Sequence, residues 1–248
     1  MSNDEKLLTF TGHLAELRRR LIRSVIAIVI ATIISLIFAR HIFNFLISRA
    51  PEDTDFVFIE MTEMFGTYVQ VALTAGIVLV MPFLVYQLLM FVSPALTGRE
   101  KKYVYIALPW ISIMFLGGVA FAYFLLVPPA TRFFIGFGGD IAEAQIRIGN
   151  YVGLVTKLMV AIGLVFEAPV IITFLARLGV VTPQWLASKR RWAIVGAFIL
   201  AAVTTPPDPV TQILLAGPVI LLFEVSIFTA KIAYSRKMKA DRSSDYLA

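Results

Sequence analysis

The feature that most constrains this chain is its series of long apolar stretches. A helix that crosses a membrane needs roughly 20 mainly apolar residues to span about 30 Å of hydrocarbon. Four stretches meet that length, and two shorter ones lie on either side of a Thr- and Pro-rich break at residues 204–209. We therefore predict an all-α integral membrane protein that forms a single polytopic domain over residues 1–248. The six predicted transmembrane helices lie at about 21–38, 67–92, 103–127, 151–175, 193–205 and 210–230.

Composition supports this class and excludes several functions. The chain is 59% apolar and 15% charged, whereas soluble domains are about 45–50% apolar and about 25% charged. It has no cysteine, and its two histidines, His13 and His41, lie at opposite ends of the first predicted helix. Disulfides and thiol catalysis are excluded, and a histidine metal site is disfavoured. We expect no metal, no cofactor and no enzymatic activity.

The distribution of basic residues predicts the orientation. Seventeen of the 22 Lys and Arg residues fall in segments that six helices would place on one face of the membrane. The positive-inside rule makes that face cytoplasmic, so both termini are predicted inside, in a cell inner membrane. The net charge of +6 is thus a topology signal and an attraction to anionic lipid, and we expect no nucleic-acid partner.

Helix length and helix starts give further predictions. Residues 193–203 would rise only about 17 Å, which is less than the hydrocarbon thickness, so this helix must thin the bilayer, be shielded or oligomerise. We predict that helices 5 and 6 form a short pair. Helix starts are predicted at Thr97, Thr182 and Asp208, where a capping residue precedes a typical first turn.

Three acids are candidates for function, and each also has a structural explanation. Glu167 lies inside the fourth predicted span, where an ionised carboxylate costs about 2.5–3.5 kcal/mol, so it is either functional or a polar anchor to a neighbouring helix. Glu16 is placed for an i, i+4 pair with Arg20, and Glu100 for a capping box. Together, Glu16 and Glu100 lie in a basic collar and are suited to bind an incoming guanidinium. Lys157, near the outer end of the same span as Glu167, is interpreted as a snorkelling side chain.

Several segments resemble one known family. In chain order they are HLAELRRR (13–20), FVSPAL (91–96) followed by Glu100, GVAFAYF (118–124), FEAPV (166–170) and TPPD (205–208). In this order they resemble the TatC family of twin-arginine protein translocases over nearly the whole chain, from Leu8 to about Arg236.

The resemblance implies a membrane receptor that binds the twin-arginine signal peptides of folded export substrates and is driven by the proton-motive force. Glu16 and Glu100 would face the paired arginines, and Glu167 would line a concave face within the bilayer. The remaining residues of the signal-peptide patch would be Leu14, Leu17, Arg18, Phe91, Pro94 and Leu96. The single-span subunits TatA and TatB would dock at Thr205, Pro207, Asp208 and Gln212, in a complex with further copies of the chain. From the residues alone, Gln212 is equally suited to a bond between helices of one chain.

Two other functions are alternatives to a translocase receptor. A proton-coupled small-solute transporter would use Glu167 as its titrating group, but it needs a second ionisable group nearby, and Lys157 lies about 15 Å away along the same helix. An intramembrane hydrolase would need a Ser–His dyad or a metal set within the spans. Both histidines lie outside them, which disfavours that function.

Overall fold

The chain folds into a bundle of helices. The computed structural model describes the backbone of residues 3–51, 54–92, 98–137, 145–205 and 208–245, and their side chains except those of residues 3–11, 92, 98–107, 236–237 and 239–245. The helices and strands are α1 (Asn3–Ile37), α2 (Ala39–Ile47), β1 (Phe56–Val57), α3 (Glu63–Val92), α4 (Gly98–Phe121), a π-helical segment (Ala122–Leu126), α5 (Val127–Gly136), β2 (Ile146–Arg147), α6 (Ile148–Phe166), α7 (Ala168–Leu178), α8 (Pro183–Ser188), α9 (Arg190–Thr204) and α10 (Pro209–Asp245).

Five stretches of the described helices are long and apolar enough to cross a membrane: Gly12–Ile37, Glu63–Phe91, Leu108–Gly136, Ile148–Leu178 and Pro209–Ser235. The fifth predicted span, residues 193–205, corresponds to α9 and is the one predicted span that is not among these five stretches. With 15 residues it rises about 22 Å, which is less than about 30 Å of hydrocarbon.

The prediction of a short sixth helix is wrong. Helix α10 has 37 residues and continues to Asp245, whereas the prediction ended it at residue 230. The sequence reasoning ended the helix where Lys and Arg begin. Charge ends an apolar span but not a helix, because Lys, Arg and Ala are all good helix formers.

Two of the membrane-length stretches contain a change in helix geometry. The third passes from α4 through the π-helical segment into α5, so it continues to Gly136, beyond the predicted end at residue 127. The fourth is interrupted at Glu167, which ends α6 and begins α7. Pro169 explains this break because it has no N–H to continue the helical hydrogen bonds. Pro82, by contrast, lies inside an uninterrupted α3.

Small residues set the closest helix contacts. Helix α1 packs on α3, where a Cβ added to Gly76 would lie 2.7 Å from the hydroxyl of Thr32. Helix α4 packs on α6, where a Cβ added to Gly118 would lie 2.9 Å from the Cα of Gly163. Helices α3, α4 and α6 surround a core whose largest fully buried side chains include Phe115, and α1 packs against α3 at the edge of that core.

The loops at one end of the bundle are tied together, and we call this end the strand end. Strands β1 and β2 pair in parallel, with Phe56 opposite Ile146. Next to them, Arg147 donates to Glu63 at 2.9 Å and to Glu60 at 3.2 Å. These bonds raise the pKa of the Arg147 guanidinium above its ordinary value. The tie joins parts of the chain that are more than 80 residues apart in sequence.

Two tyrosines close the C-terminal end of α2. The hydroxyl of Tyr123 donates to the carbonyl of Phe45 at 2.5 Å, and that of Tyr151 donates to the carbonyl of Leu46 at 3.3 Å. The last carbonyls of a helix have no partner within the helix. Tyr151 supplies one for Leu46, and Tyr123 adds to the Ser48 hydroxyl, which also donates to the carbonyl of Phe45 at 2.8 Å. Tyr123 belongs to the π-helical segment, so this irregular turn carries the hydroxyl that binds the end of α2.

Candidate functional site

The predicted acid Glu16 lies at the end of the bundle opposite the strand end. Helix α3 runs from Glu63 at the strand end to Phe91 beside α1, a distance of about 42 Å. We call the far end the Glu16 end. The predicted i, i+4 pair is confirmed: Arg20 donates from Nε to Glu16 Oε1 at 3.0 Å and from Nη2 to the same oxygen at 2.5 Å.

Helix α3 completes this cluster. The remaining guanidinium nitrogen of Arg20, Nη1, donates to Gln87 Oε1 at 3.1 Å, and the Gln87 side chain is buried. One turn further along α3, the Phe91 ring stacks on His13 with 4.3 Å between ring centroids. His13, Glu16 and Arg20 therefore share the face of α1 that meets α3, at spacings of three and four residues.

The adjacent face of α1 is open. Leu14 is 48% exposed, Leu17 is 42% exposed, and Arg18 is exposed as well. The Glu16 end therefore combines a carboxylate that is 31% exposed with an uncovered apolar strip and the exposed side chains of Arg18 and Arg19.

Part of the predicted patch lies outside this description. Pro94 and Leu96 fall outside the described residues, and so does the side chain of Glu100, whose backbone is in the first turn of α4. The sequence reasoning missed Gln87 as a member of the cluster. Its position four residues before Phe91 places the two side chains on one face of α3, and that spacing was the available signal.

Glu167 is enclosed by the protein. Its side chain is 1% exposed and lies beside the backbone of Phe115 in α4. Neither carboxylate oxygen has a hydrogen-bond partner among the described residues. A buried polar group without a partner is costly. The Phe115 backbone of α4 is close to the carboxyl group but forms no hydrogen bond of good geometry with it, so the polar-anchor interpretation has at most this weak contact behind it.

The predicted docking residues lie at the turn between α9 and α10. Asp208 accepts from the backbone N–H of Thr211 at 2.7 Å, and Gln212 donates from Nε2 to the carbonyl of Phe198 in α9 at 3.3 Å. The hydroxyl of Thr205 is buried and donates to Ala201 at 3.0 Å. Pro207 lies outside the described residues.

Two of the three predicted helix starts are confirmed. Asp208 accepts from an N–H in the first turn of α10, and Thr182 accepts from one in the first turn of α8. The start predicted at Thr97 lies outside the described residues.

An exposed apolar face surrounds the turn between α9 and α10. Its large side chains belong to the outward side of α9 and the first two turns of α10: Ile194, Val195, Ile199, Val203, Val210 and Ile213. Apolar surface of this extent is ordinary where it meets lipid, and it is also what a packed transmembrane helix would cover. Asp208 and Thr205 therefore shape the ends of their own helices, Gln212 joins α10 to α9, and the exposed surface around the turn is apolar.

A groove opens between α3, α6 and α9. It consists of two cavities of about 610 and 510 Å³ that share Gln70, Lys157, Val203 and Thr204 in their walls. Gln70 bridges α3 to α6 by donating to the hydroxyl of Thr156 at 3.0 Å. Lys157 is exposed and lines both cavities.

Fold and site together define a polytopic helical membrane protein with a basic patch at one end and an exposed apolar face around the turn between α9 and α10. Residues 12–218 match the model of the family described as "Sec-independent protein translocase protein (TatC)". The chain belongs to this TatC family, so the resemblance found in the sequence is confirmed.

Individual relatives and solved structures agree. The chain is 39% identical to the Sec-independent protein translocase protein TatC of Carboxydothermus hydrogenoformans, over 96% of this chain and 99% of that protein. It is 35% identical to the TatC of Aquifex aeolicus, over 95% and 100% of the two chains. The fold matches a crystal structure of the twin arginine translocase receptor TatC with a TM-score of 0.80 and 37% identity, over 89% of this chain and 99% of that one.

Proposed function

We propose that this chain is the signal-peptide receptor of a twin-arginine translocase in a cell inner membrane. In this role the Glu16 end faces the cytoplasm, both termini lie on that side, and the protein exports folded substrates with the proton-motive force. The chain lacks the Gly-rich phosphate loop of nucleotide-driven transporters, which agrees with such an energy source.

The geometry of Glu16 carries this proposal. Its carboxylate already binds a guanidinium, but both bonds from Arg20 end on Oε1, and Oε2 accepts none from the described side chains. A carboxylate binds guanidinium through two parallel bonds, a geometry that an ammonium does not reproduce. Oε2 is therefore available to one N–H of an arginine of the signal peptide, and we propose Glu100 as the second acid, which accepts from the other N–H groups. The surrounding patch is Leu14, Leu17, Arg18, Phe91, Pro94 and Leu96.

Photo-crosslinking tests the recognition site without removing the acids. A photoreactive residue at position 17 would sit on the exposed face beside Glu16 and should crosslink to a signal peptide that carries Arg-Arg. The same peptide with Lys-Lys should crosslink far less, because an ammonium lacks the planar set of donors with which a guanidinium can bind Glu16 and the second acid together. Glu16→Gln should abolish the difference between the peptides.

A matched control is available at Glu224. This acid is also half-exposed and paired with an arginine, accepting from Arg190 at 2.7 and 2.9 Å. Glu224→Gln should therefore leave the peptide preference intact. Equal crosslinking of both peptides to the unaltered chain, or an equal loss in Glu16→Gln and Glu224→Gln, would contradict the assignment.

We further propose that the apolar face around the α9–α10 turn docks single-span subunits of the TatA and TatB type, with Thr205, Pro207, Asp208 and Gln212 setting the shape of the turn. A photoreactive residue at Ile213, which is 63% exposed, should crosslink to such subunits in membranes. Ile33, 62% exposed on α1, is the matched control for nonspecific contact. Equal yields at the two positions would refute a preferred docking face.

The transporter alternative gains no support from the cavities. Its titrating group Glu167 is not among the residues that line the two cavities of the groove. We propose instead that Glu167 serves protein translocation from within the helix break, where its buried carboxyl group would meet a passing polar segment once the break opens.

A further inference from the structure

The groove between α3, α6 and α9 is divided by polarity along its length. Towards the strand end its wall includes Asn150, Gln70 and Thr205, and Lys157 lies where this polar part meets the remainder. Away from the strand end the wall becomes apolar, with Val160, Leu164 and Leu200. A polar compartment followed by an apolar one matches an amphiphile that lies lengthwise in the groove.

The polar compartment holds an unpaired cation. No carboxylate oxygen of the described residues lies within 4.0 Å of the Lys157 ammonium, since the described ion pairs all involve Arg20, Arg147 or Arg190. Lys157 is the tenth residue of α6, so it lies about 15 Å below Arg147 and the strand end. A cation at this depth is costly unless it has a partner or a path to water. A phosphate provides the missing negative charge.

The short helix α9 gives a polar head group access to this depth. Its last residue, Thr204, lines the groove together with Lys157, so α9 ends level with the lysine and well below Arg147. A transmembrane helix too short for the hydrocarbon draws the membrane surface towards its end. If α9 acts in this way, the bilayer interface on the strand-end side would descend to the level of Lys157.

The apolar compartment is long enough for part of an acyl chain. From Lys157 to Val165 the wall extends about 12 Å along α6. The cavity of about 610 Å³ that it lines is open on one side, so a hydrocarbon chain can enter it from the bilayer.

We propose that this groove is a binding site for an anionic phospholipid of the leaflet at the strand end. The Lys157 ammonium binds the phosphate, the Asn150 amide contacts the head group, and one acyl chain lies along Val160 and Leu164. The site goes beyond signal recognition at the Glu16 end. It would fasten a lipid beneath the end of α9 and so stabilise the thinned bilayer there.

Lipid photo-crosslinking tests this site. The full-length protein is placed in nanodiscs with equal amounts of phosphatidylglycerol and phosphatidylcholine, each labelled differently and carrying a photoreactive group in the acyl chain. Crosslinks in peptides of α6 and α9 are expected to favour phosphatidylglycerol about fivefold, which is the effect of about 1 kcal/mol for one basic residue near a membrane surface. Lys157→Gln should lower the ratio to about one, and Lys157→Arg should preserve it.

Arg132 provides the matched control, because it is an exposed cation in α5 that does not line the groove. Arg132→Gln should leave the ratio unchanged. The proposal is overturned if the unaltered protein shows no preference between the two lipids, if Lys157→Gln keeps the preference, or if the crosslinks fall outside α6 and α9. Crosslinks from a photoreactive residue at Val160 to another protein, and not to lipid, would also overturn it. If Lys157→Gln does not fold, the preference of the unaltered protein for phosphatidylglycerol over phosphatidylcholine still tests the proposal.

Discussion

Replacing Gly118 by alanine should weaken the contact between α4 and α6. The added Cβ would lie 2.8 Å from two side-chain carbons of Phe166 and 2.9 Å from the Cα of Gly163. Real Cβ contacts are longer than this, and one of the atoms in the way belongs to backbone, so the two helices must move apart. Overpacking of this kind costs about 1–3 kcal/mol.

The neighbouring residue supplies an internal control. Gly117 is exposed, and a Cβ added there meets nothing within 4 Å. Gly117→Ala should be neutral or stabilising by up to about 1 kcal/mol, because alanine is the better helix former. The two variants differ by one position and make the same chemical change, so helix propensity cancels in the comparison.

The assay is equilibrium unfolding of the purified protein in mixed micelles with increasing SDS, followed by circular dichroism. Gly118→Ala should unfold at clearly lower SDS than the unaltered protein, whereas Gly117→Ala should not. Gly163→Ala should behave like Gly118→Ala, since its Cβ would lie 2.7 Å from the ring of Phe115. Equal stability of the Gly117 and Gly118 variants would refute the reasoning, because it would mean that the helices do not approach as closely as described.

Three further predictions use the same unfolding assay. Glu167→Leu should stabilise the protein by about 1–3 kcal/mol, because it removes a buried polar group that has no described partner. Export of a twin-arginine substrate should fall in the same variant. Unchanged export would show that the carboxyl group has no role. Tyr123→Phe should destabilise by about 0.5–1.5 kcal/mol through loss of the hydrogen bond to Phe45, and no change would mean that water replaces the hydroxyl. Glu63→Gln should lower the unfolding midpoint by weakening the tie to Arg147, and a midpoint that is insensitive to this change would contradict a structural role for the tie at the strand end.

Much of the fold follows from local properties of the sequence. Hydropathy located the five membrane-length stretches because each helix satisfies its own backbone hydrogen bonds and can be recognised without its neighbours. Capping residues located the starts of α8 and α10 for the same reason. The reasoning failed at the end of α10, where it treated the first basic residues as the end of the helix.

The candidate site was predictable only in part. The pairing of Glu16 with Arg20 depends on a spacing of four residues within one helix, so the sequence alone was sufficient. The contribution of Gln87 could not be derived in this way, because it lies 67 residues from its partner Arg20 and which faces of α1 and α3 meet is decided by packing. The family motifs identified the chain from the order of its segments, without information on their geometry.

The sequence by itself therefore determined the class of protein, its membrane-length helices, their local caps and the family. The tertiary structure alone decided which distant residues meet: the tie of Arg147 to Glu63, the approach of Gly118 to Gly163, and the groove that exposes Lys157. The physical reason is that a helix is built from contacts three and four residues apart, whereas these pairs depend on shape and charge matching between helices. Such matching is a property of the assembled bundle, and no short segment of the chain contains it.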